Sequence, residues 1–383
     1  MGYIKNNDQL ALNDIRKLVL DLIETAFSAI APEQVFKKDF LLQDNILTIQ
    51  NKLFDLKNFD RIFLVGFGKG SSGICKILEK KLGNNLTAGY DIDVVDEKLS
   101  TIAYTKGTHP LPSEANFTYT KNVIEKLNKL TEKDLVIVTT CGGGSVLFEK
   151  PHTFTLDQMI SVNKALLSSG ATISEMNVIR KHLSQVKGGG LAKILYPATV
   201  VNLIFSDVPG NDLSVIASAP LVQDPTTVQD AIAICAKYHL TEKQLLTPAD
   251  FIETPKEEKY FKQVHNILML SNKTALAAMQ QQAETLGLKT MILTDRLQGD
   301  AKETGKYLLE QAEHMVKKRA GQILLAGGET TVRIKGTGKG GRNQALILAA
   351  LPFITDDVTI ASFDSDGWDF YELAGAIADH ETL

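Results

Sequence analysis

RIFLVGFGKGSSGICKILEKKL, residues 61–82, begins as an apolar run from Arg61 to Gly66, breaks at the loop FGKGSSG and continues as a helix from Ser71 to Leu82. An apolar strand that ends in glycines and feeds a helix is half of a parallel βαβ unit, with both faces of the strand buried. The same unit recurs downstream. Tyr90 to Val95 and Thr101 to Tyr104 read as short strands, and His109-Pro110-Leu111-Pro112-Ser113 reads as a turn that caps a helix from Glu114 to Leu130. DLVIVTT, residues 134–140, is a further apolar strand, ending in Cys141-Gly142-Gly143-Gly144-Ser145. Two helical stretches (Leu156 to Ser168, Ser174 to Gln185), the loop Lys187-Gly188-Gly189-Gly190 and a strand from Thr199 to Phe205 follow. The repetition predicts an α/β fold with a doubly wound, mostly parallel sheet, and it puts ligands at the carboxyl ends of the strands, where these loops lie.

At 383 residues the chain suits two α/β domains. Residues 240–260 (LTEKQLLTPADFIETPKEEKY) are polar with two prolines, so the expected domains are 1–245 and 256–383. An amphipathic helix from Leu12 to Ile30 opens the first. The second continues the alternation with a helix (Thr274 to Leu286), a strand (Lys289 to Leu293), a helix (Ala301 to Arg319) and a strand from Asp357 to Phe363. Composition is that of an ordinary globular chain, 44% hydrophobic and 22% charged, with a net charge of −4. Without a basic stripe, nucleic acid is a poor partner. The longest apolar run, Ala345 to Ile354, is too short to span a bilayer and contains Pro352. Cys75, Cys141 and Cys235 are far apart, and no cationic-then-apolar leader opens the chain, so a cytoplasmic protein is expected.

The loops carry the candidate chemistry. LLAGGETTVRIKGTGKGGRNQ, residues 324–344, reads as a strand, a turn, a second short strand and a glycine loop that opens a helix, with Lys339, Gly340, Gly341, Arg342 and Asn343 at the opening. Unsatisfied N–H groups and a positive dipole there suit a phosphate or a carboxylate. Gly68-Lys69-Gly70-Ser71-Ser72-Gly73 formally matches a dinucleotide fingerprint, with Asp91, Asp93 and Asp96 near the ribose-binding position. Lys69 would crowd a pyrophosphate and suits a phosphoryl group or a substrate carboxylate better. No Walker loop or protein-kinase signature is present. Asp207, after the strand ending at Phe205, is placed for a metal ligand or a general base, and Asp366 in DSDGWD repeats the theme. Carboxylates at strand ends without a histidine cluster favour Mg²⁺ over zinc. His109 and His182 read as structural, and Cys141 has no activating neighbour.

VGFGKGSSG from Val65, GTHPLPSEAN from Gly107, CGGGSVL from Cys141, SGATISEMNVIRKHLSQVKGGGLA from Ser169, SDVPGNDLSVIASAPLVQDPTT from Ser206, AGGETTVRIKGTGKGGRNQ from Ala326, and DSDGWD with AGAIAD together resemble the glycerate 2-kinases that carry a MOFRL C-terminal domain. The resemblance implies transfer of a phosphoryl group from ATP to the 2-hydroxyl of D-glycerate with Mg²⁺, giving 2-phosphoglycerate. It implies a smaller α/β C-terminal domain, a site in the cleft between domains, and Lys69 and Arg342 as the key cations. On this basis Gly68, Gly70, Gly142, Gly143, Gly144, Ser145, Arg180, Lys187, Glu329, Gly340, Gly341 and Asn343 are expected to bind substrate or nucleotide. Lys69, Arg342 and Asp207 are expected to be catalytic, and Asp207 and Asp366 to hold the metal. Departures include Ala219 where the family usually has Gly, and Gly190 where Arg is common. The family continues beyond AGAIAD, so the C-terminal domain is expected to be truncated. A homodimer fits the same resemblance. Two other readings stand beside it: an NAD(P)-dependent hydroxypyruvate reductase using the 68–73 loop, and a non-catalytic homologue that binds a small metabolite.

Overall fold

The apolar runs become one sheet. Strands β4 (Arg61–Phe67), β5 (Ala88–Asp93), β6 (Ile102–Lys106), β7 (Asp134–Thr140), β8 (Thr199–Phe205) and β9 (Val264–Leu270) lie in the order β6-β5-β4-β7-β8-β9. The pairs β6–β5, β5–β4, β4–β7 and β7–β8 are all parallel. Every residue of β7 is buried, as a strand covered on both faces requires. Successive strands step outward from β4 in one direction and from β7 in the other, so the winding reverses between β4 and β7. That crevice, at the carboxyl ends, is where a doubly wound sheet places its ligand. Ahead of the sheet, strands β1 (Phe40–Gln43), β2 (Ile46–Ile49) and β3 (Lys52–Asp55) form an antiparallel meander that the sequence reading left out. Its first turn is the pair Asp44-Asn45, both at positive φ (51° and 67°), the conformation of a tight two-residue hairpin loop.

The structure is a computed structural model that describes residues 2–240, 245–318, 322–333, 336, 338–355, 358–369 and 373–382, and it falls into two compact units. The larger unit is residues 35–269, and the smaller joins 1–34 to 270–383. This differs from the expected division at 245 and 256 in two ways. Residues 264–269 supply a strand of the large sheet, and the opening helix Asp14–Ile30 belongs to the smaller unit. The reason is packing: Leu22, Ile23 and Ala26 of that helix are buried against Leu276, Met279, Ala283 and Leu325. Arg16, itself buried, donates from Nε to Asp379 at 2.7 Å and fastens the same helix to the residue after the strand Gly375–Ala378.

Within the smaller unit, β10 (Thr290–Leu297) pairs in parallel with β11 (Ile323–Gly328), and β12 (Ile360–Phe363) pairs antiparallel with β13 (Gly375–Ala378). Helices Asn272–Thr285, Ala301–Lys317 and Arg342–Ala350 accompany them. At the end of the GGETT turn Thr331 forms an isolated bridge with Asp300, and Val332 and Arg333, which open the expected short strand, are in no strand. Residues 334, 335 and 337 of that expectation, Arg319 of the helix and Asp357 of the strand lie outside the described residues. Among the described residues no helix is long and apolar enough to cross a membrane.

Candidate active site

At the switch point the β4 and β7 loops are laced together. Lys69 N–H donates to the Gly142 carbonyl at 2.8 Å, and Gly68, at φ +117°, lies so close to Cys141 that a Cβ would sit 2.6 Å from the Cys141 carbonyl oxygen. Gly143 takes φ +75°, and a Cβ there would meet His109 at 3.0 Å and Lys69 Cγ at 3.5 Å. A Cβ on Gly142 would sit 2.0 Å from Asp207 Oδ2. Glycine is required at both positions because side chains from three other strand ends crowd the loop. Lys69 and Asp207 are exposed, whereas Gly142 and Gly143 are half-buried. Neither glycine amide donates to an acceptor among the described residues. Two reachable donors beside a lysine and a carboxylate form a polar crevice suited to an anion with its counter-cation.

The two helix starts expected to bind an anion are filled by carboxylates of the chain itself. Asp93, fully buried, accepts from Gly70 N–H at 3.0 Å, from Ser72 N–H at 3.2 Å and from the Ser72 hydroxyl at 2.7 Å, which seals the start of helix Ser71–Leu82. Asp369, also buried, accepts from Asn343 N–H at 3.1 Å and Gln344 N–H at 2.9 Å, and so caps helix Arg342–Ala350. Gly341 is there for close approach, since its Cβ would fall 2.1 Å from Asp369 Oδ1. What each loop offers outward is its cation. A pyrophosphate at Gly68–Gly73 would have to displace Asp93, so the dinucleotide fingerprint is occupied from within.

Arg342 is held by two acids: Nη1 pairs with Glu329, and Nη2 lies 3.5 Å from Asp364. Partial burial works against its charge, but these carboxylates leave the guanidinium pKa raised. Asp366 is exposed, and its Oδ1 accepts from Trp368 N–H at 2.8 Å in a local turn. Among the described residues no group of three or more His, Cys, Asp or Glu side chains is arranged to hold a metal ion. Mg²⁺ asks less of a protein, since one or two carboxylates suffice beside water and phosphate oxygens. Asp207, exposed and pressed against the Gly142 loop, fits that requirement.

Ser145 Oγ lies 2.9 Å from Ser218 Oγ, which donates to Asn177 Oδ1 at 3.1 Å. One turn further along helix Ile173–Leu183, Arg180 donates from Nε to Asn163 at 3.1 Å, and no carboxylate comes within ion-pair distance of it among the described residues. Burial lowers its pKa and nearby Glu149 only partly compensates, so the guanidinium is short of an anion. Lys187, by contrast, is buried and paired with Glu149. Burial lowers its pKa and Glu149 opposes the shift. Its loop is stitched to residues 218 and 219 by Gly188 N–H to Ser218 O at 3.0 Å and Gly189 N–H to Ala219 O at 2.8 Å. Beneath the Lys69 loop, Asp91 is fully buried. Its Oδ1 accepts from the Ser71 hydroxyl at 2.7 Å, its Oδ2 has no partner, and burial pushes its carboxyl up to about 7. Cys141 is buried and its thiol pKa is pushed up by burial, which suits packing rather than nucleophilic attack.

The fold and this crevice define a doubly wound α/β protein with a polar crevice at the sheet's switch point, joined to a second α/β unit. The chain matches the domain of unknown function DUF4147 over residues 18–253 and the MOFRL family over residues 322–383. It is 34% identical to a glycerate 2-kinase of Pyrococcus horikoshii, across 96% of this chain and 87% of that protein. It is 36% identical to a putative hydroxypyruvate reductase of Agrobacterium vitis, across 84% and 76%. The crystal structure of a glycerate kinase from Thermotoga maritima superimposes with a TM-score of 0.84 at 32% identity, covering 96% of this chain and 87% of that one. The chain belongs to the glycerate 2-kinase family with DUF4147 and MOFRL domains.

Proposed function

We propose that this chain is an ATP-dependent kinase that phosphorylates D-glycerate at its 2-hydroxyl, yielding 2-phosphoglycerate and ADP. The observation that carries the reading is the convergence of Lys69, the Gly142 and Gly143 amides, which donate to no acceptor among the described residues, and Asp207 at the switch point. Phosphoryl transfer needs little covalent help from protein. It needs the phosphate oxygens positioned and their charge neutralised. The Gly142–Ser145 loop supplies amide donors to the phosphates, and Lys69 meets the charge on the moving phosphoryl group. Asp207 would hold Mg²⁺, which when bound neutralises phosphate oxygens. Arg180, which has no carboxylate within ion-pair distance among the described residues, is assigned to the carboxylate of glycerate, while Lys187 and Glu149 hold the floor of that region. Arg342, braced by Glu329 and Asp364, is assigned as a second functional cation. Three buried free thiols accord with a cytoplasmic setting.

The reductase reading has less support, because Asp93 occupies the place a dinucleotide pyrophosphate would need. The test is ADP release measured across small 2-hydroxy acids with ATP and Mg²⁺, with phosphorus NMR to locate the phosphate on the product. D-Glycerate should drive ADP release and the phosphate should be on C2. Absence of glycerate-dependent ADP release, or NADH oxidation with hydroxypyruvate, would sink the reading.

A further inference from the structure

His109 stands at the switch point beside Lys69 and has no part in the site proposed so far. Its imidazole faces the Gly143 loop, with Nε2 3.2 Å and Cδ2 3.0 Å from the position a Gly143 Cβ would take, and Lys69 Cγ is 3.5 Å from that same point. The residue is exposed, and its ring makes no hydrogen bond within the chain among the described residues. A histidine with only a structural role would normally spend a ring nitrogen on a carbonyl, as His182 does with Val178 O at 2.9 Å. We propose that His109 is the general base of the kinase reaction, accepting through a ring nitrogen the proton of the substrate hydroxyl as that oxygen attacks phosphorus. This rests on the kinase reading.

The bonds balance without a further reactant. The hydroxyl oxygen forms its bond to the γ-phosphorus, the bond from that phosphorus to the bridging oxygen breaks, and its electron pair leaves with ADP. The proton passes to the imidazole and then to solvent, which reaches the exposed ring. The state of the imidazole suits the task. Partial burial first, and Lys69 second, push its pKa down, so the neutral base dominates at neutral pH. Lys69, from the β4 loop, is the charged group acting on it among the described residues; on the Gly143 loop beside it the Cys141 thiol is buried with its pKa pushed up, and Asp207 lies against Gly142 of the same loop. Asp207 is a weaker candidate, because a carboxylate that serves Mg²⁺ is a poor acceptor for an alcohol proton.

The experiment compares wild type with His109→Gln and His109→Ala, following kcat, both KM values and the pH profile under saturating ATP, Mg²⁺ and D-glycerate, with a thermal melt as a fold control. Both variants should lose about 100-fold in kcat, the usual scale of a base, with KM values within about threefold of wild type. The acidic limb of the wild-type profile, falling below the ordinary histidine range, should vanish in both variants. Turnover within about threefold of wild type, or an acidic limb retained in His109→Gln, overturns the assignment while leaving the kinase reading intact. A wild-type protein that transfers no phosphoryl group overturns both.

Discussion

The buried Asp91 makes a quantitative test of the site's foundation. It sits under Gly66, where a Cβ would fall 2.3 Å from its Oδ1, and Cys75 Sγ is 3.5 Å from the same oxygen. Burial raises its pKa to about 7 from 3.8. Because the native state holds this proton more tightly than the unfolded chain, the native state binds more protons between those two values. Stability contributed by the group is therefore complete below the unfolded pKa and is lost as pH rises through about 7. A shift of roughly three units corresponds to about 4 kcal/mol of lost stability at full ionisation, of which about 2.5 kcal/mol falls between about pH 5 and about pH 8. Asp91→Asn keeps the acceptor for Ser71 and removes the titration. In urea unfolding of wild type and variant across that range, the variant's stability relative to wild type should rise by about this amount as pH increases. Curves that run parallel from pH 5 to pH 8 would refute the idea of an uncharged acid beneath the Lys69 loop.

Other consequences follow from single contacts. Gly142→Ala places a Cβ on Asp207, so kcat should fall at least about tenfold while the melting temperature changes little, since no left-handed φ is involved. Glu149→Gln leaves Lys187 buried without its partner and should cost about 3–5 kcal/mol in urea unfolding, and adding Lys187→Met should recover most of that loss. Ala219 sits at φ +58°, between Ser218 at +59° and Pro220, so Ala219→Gly should stabilise the chain by about 0.5–1 kcal/mol, read as a higher urea midpoint.

The parallel sheet was legible because its strands are buried on both faces and announce themselves as apolar runs ending in glycine. Strands from Asp134 to Thr140 and from Thr199 to Phe205, and the helix from Ser71 to Leu82, have the predicted bounds. The meander at residues 40–55 lacks that signal. Its strands are four residues each with mixed exposure, and only the Asp44-Asn45 turn marked it. A polar, proline-bearing stretch marks a surface connection, whereas membership of a compact unit is decided by which apolar face finds a partner, so the expected division and the compact units need not coincide. Leu22, Ile23 and Ala26 find theirs some 250 residues away in sequence, which no local pattern reveals.

The candidate site was half legible. Glycine loops show where backbone must come close, so Gly142, Gly143 and Gly341 could be picked out, but sequence does not say what approaches them. The neighbours turned out to be Asp207, His109 and Asp369, each from a distant segment. The Arg342 loop reads from sequence as an anion site, and in the fold a carboxylate 27 residues downstream, Asp369, caps the helix that it opens, which no local pattern announces. His109 has no partner visible in the sequence, and its place beside Lys69 depends on the sheet order and on the course of the Gly143 loop.

The central claim is that Lys69, held out from an acid-sealed loop at the switch point, neutralises charge on a phosphoryl group in flight. The most direct measurement is glycerate-dependent ADP release by Lys69→Ala against wild type at saturating substrates, with thermal melting of both proteins. Loss of one such charge-stabilising donor should lower kcat by about 100- to 1,000-fold with the melting temperature unchanged, since Lys69 is exposed. Turnover within about threefold of wild type in a folded Lys69→Ala protein would contradict the account.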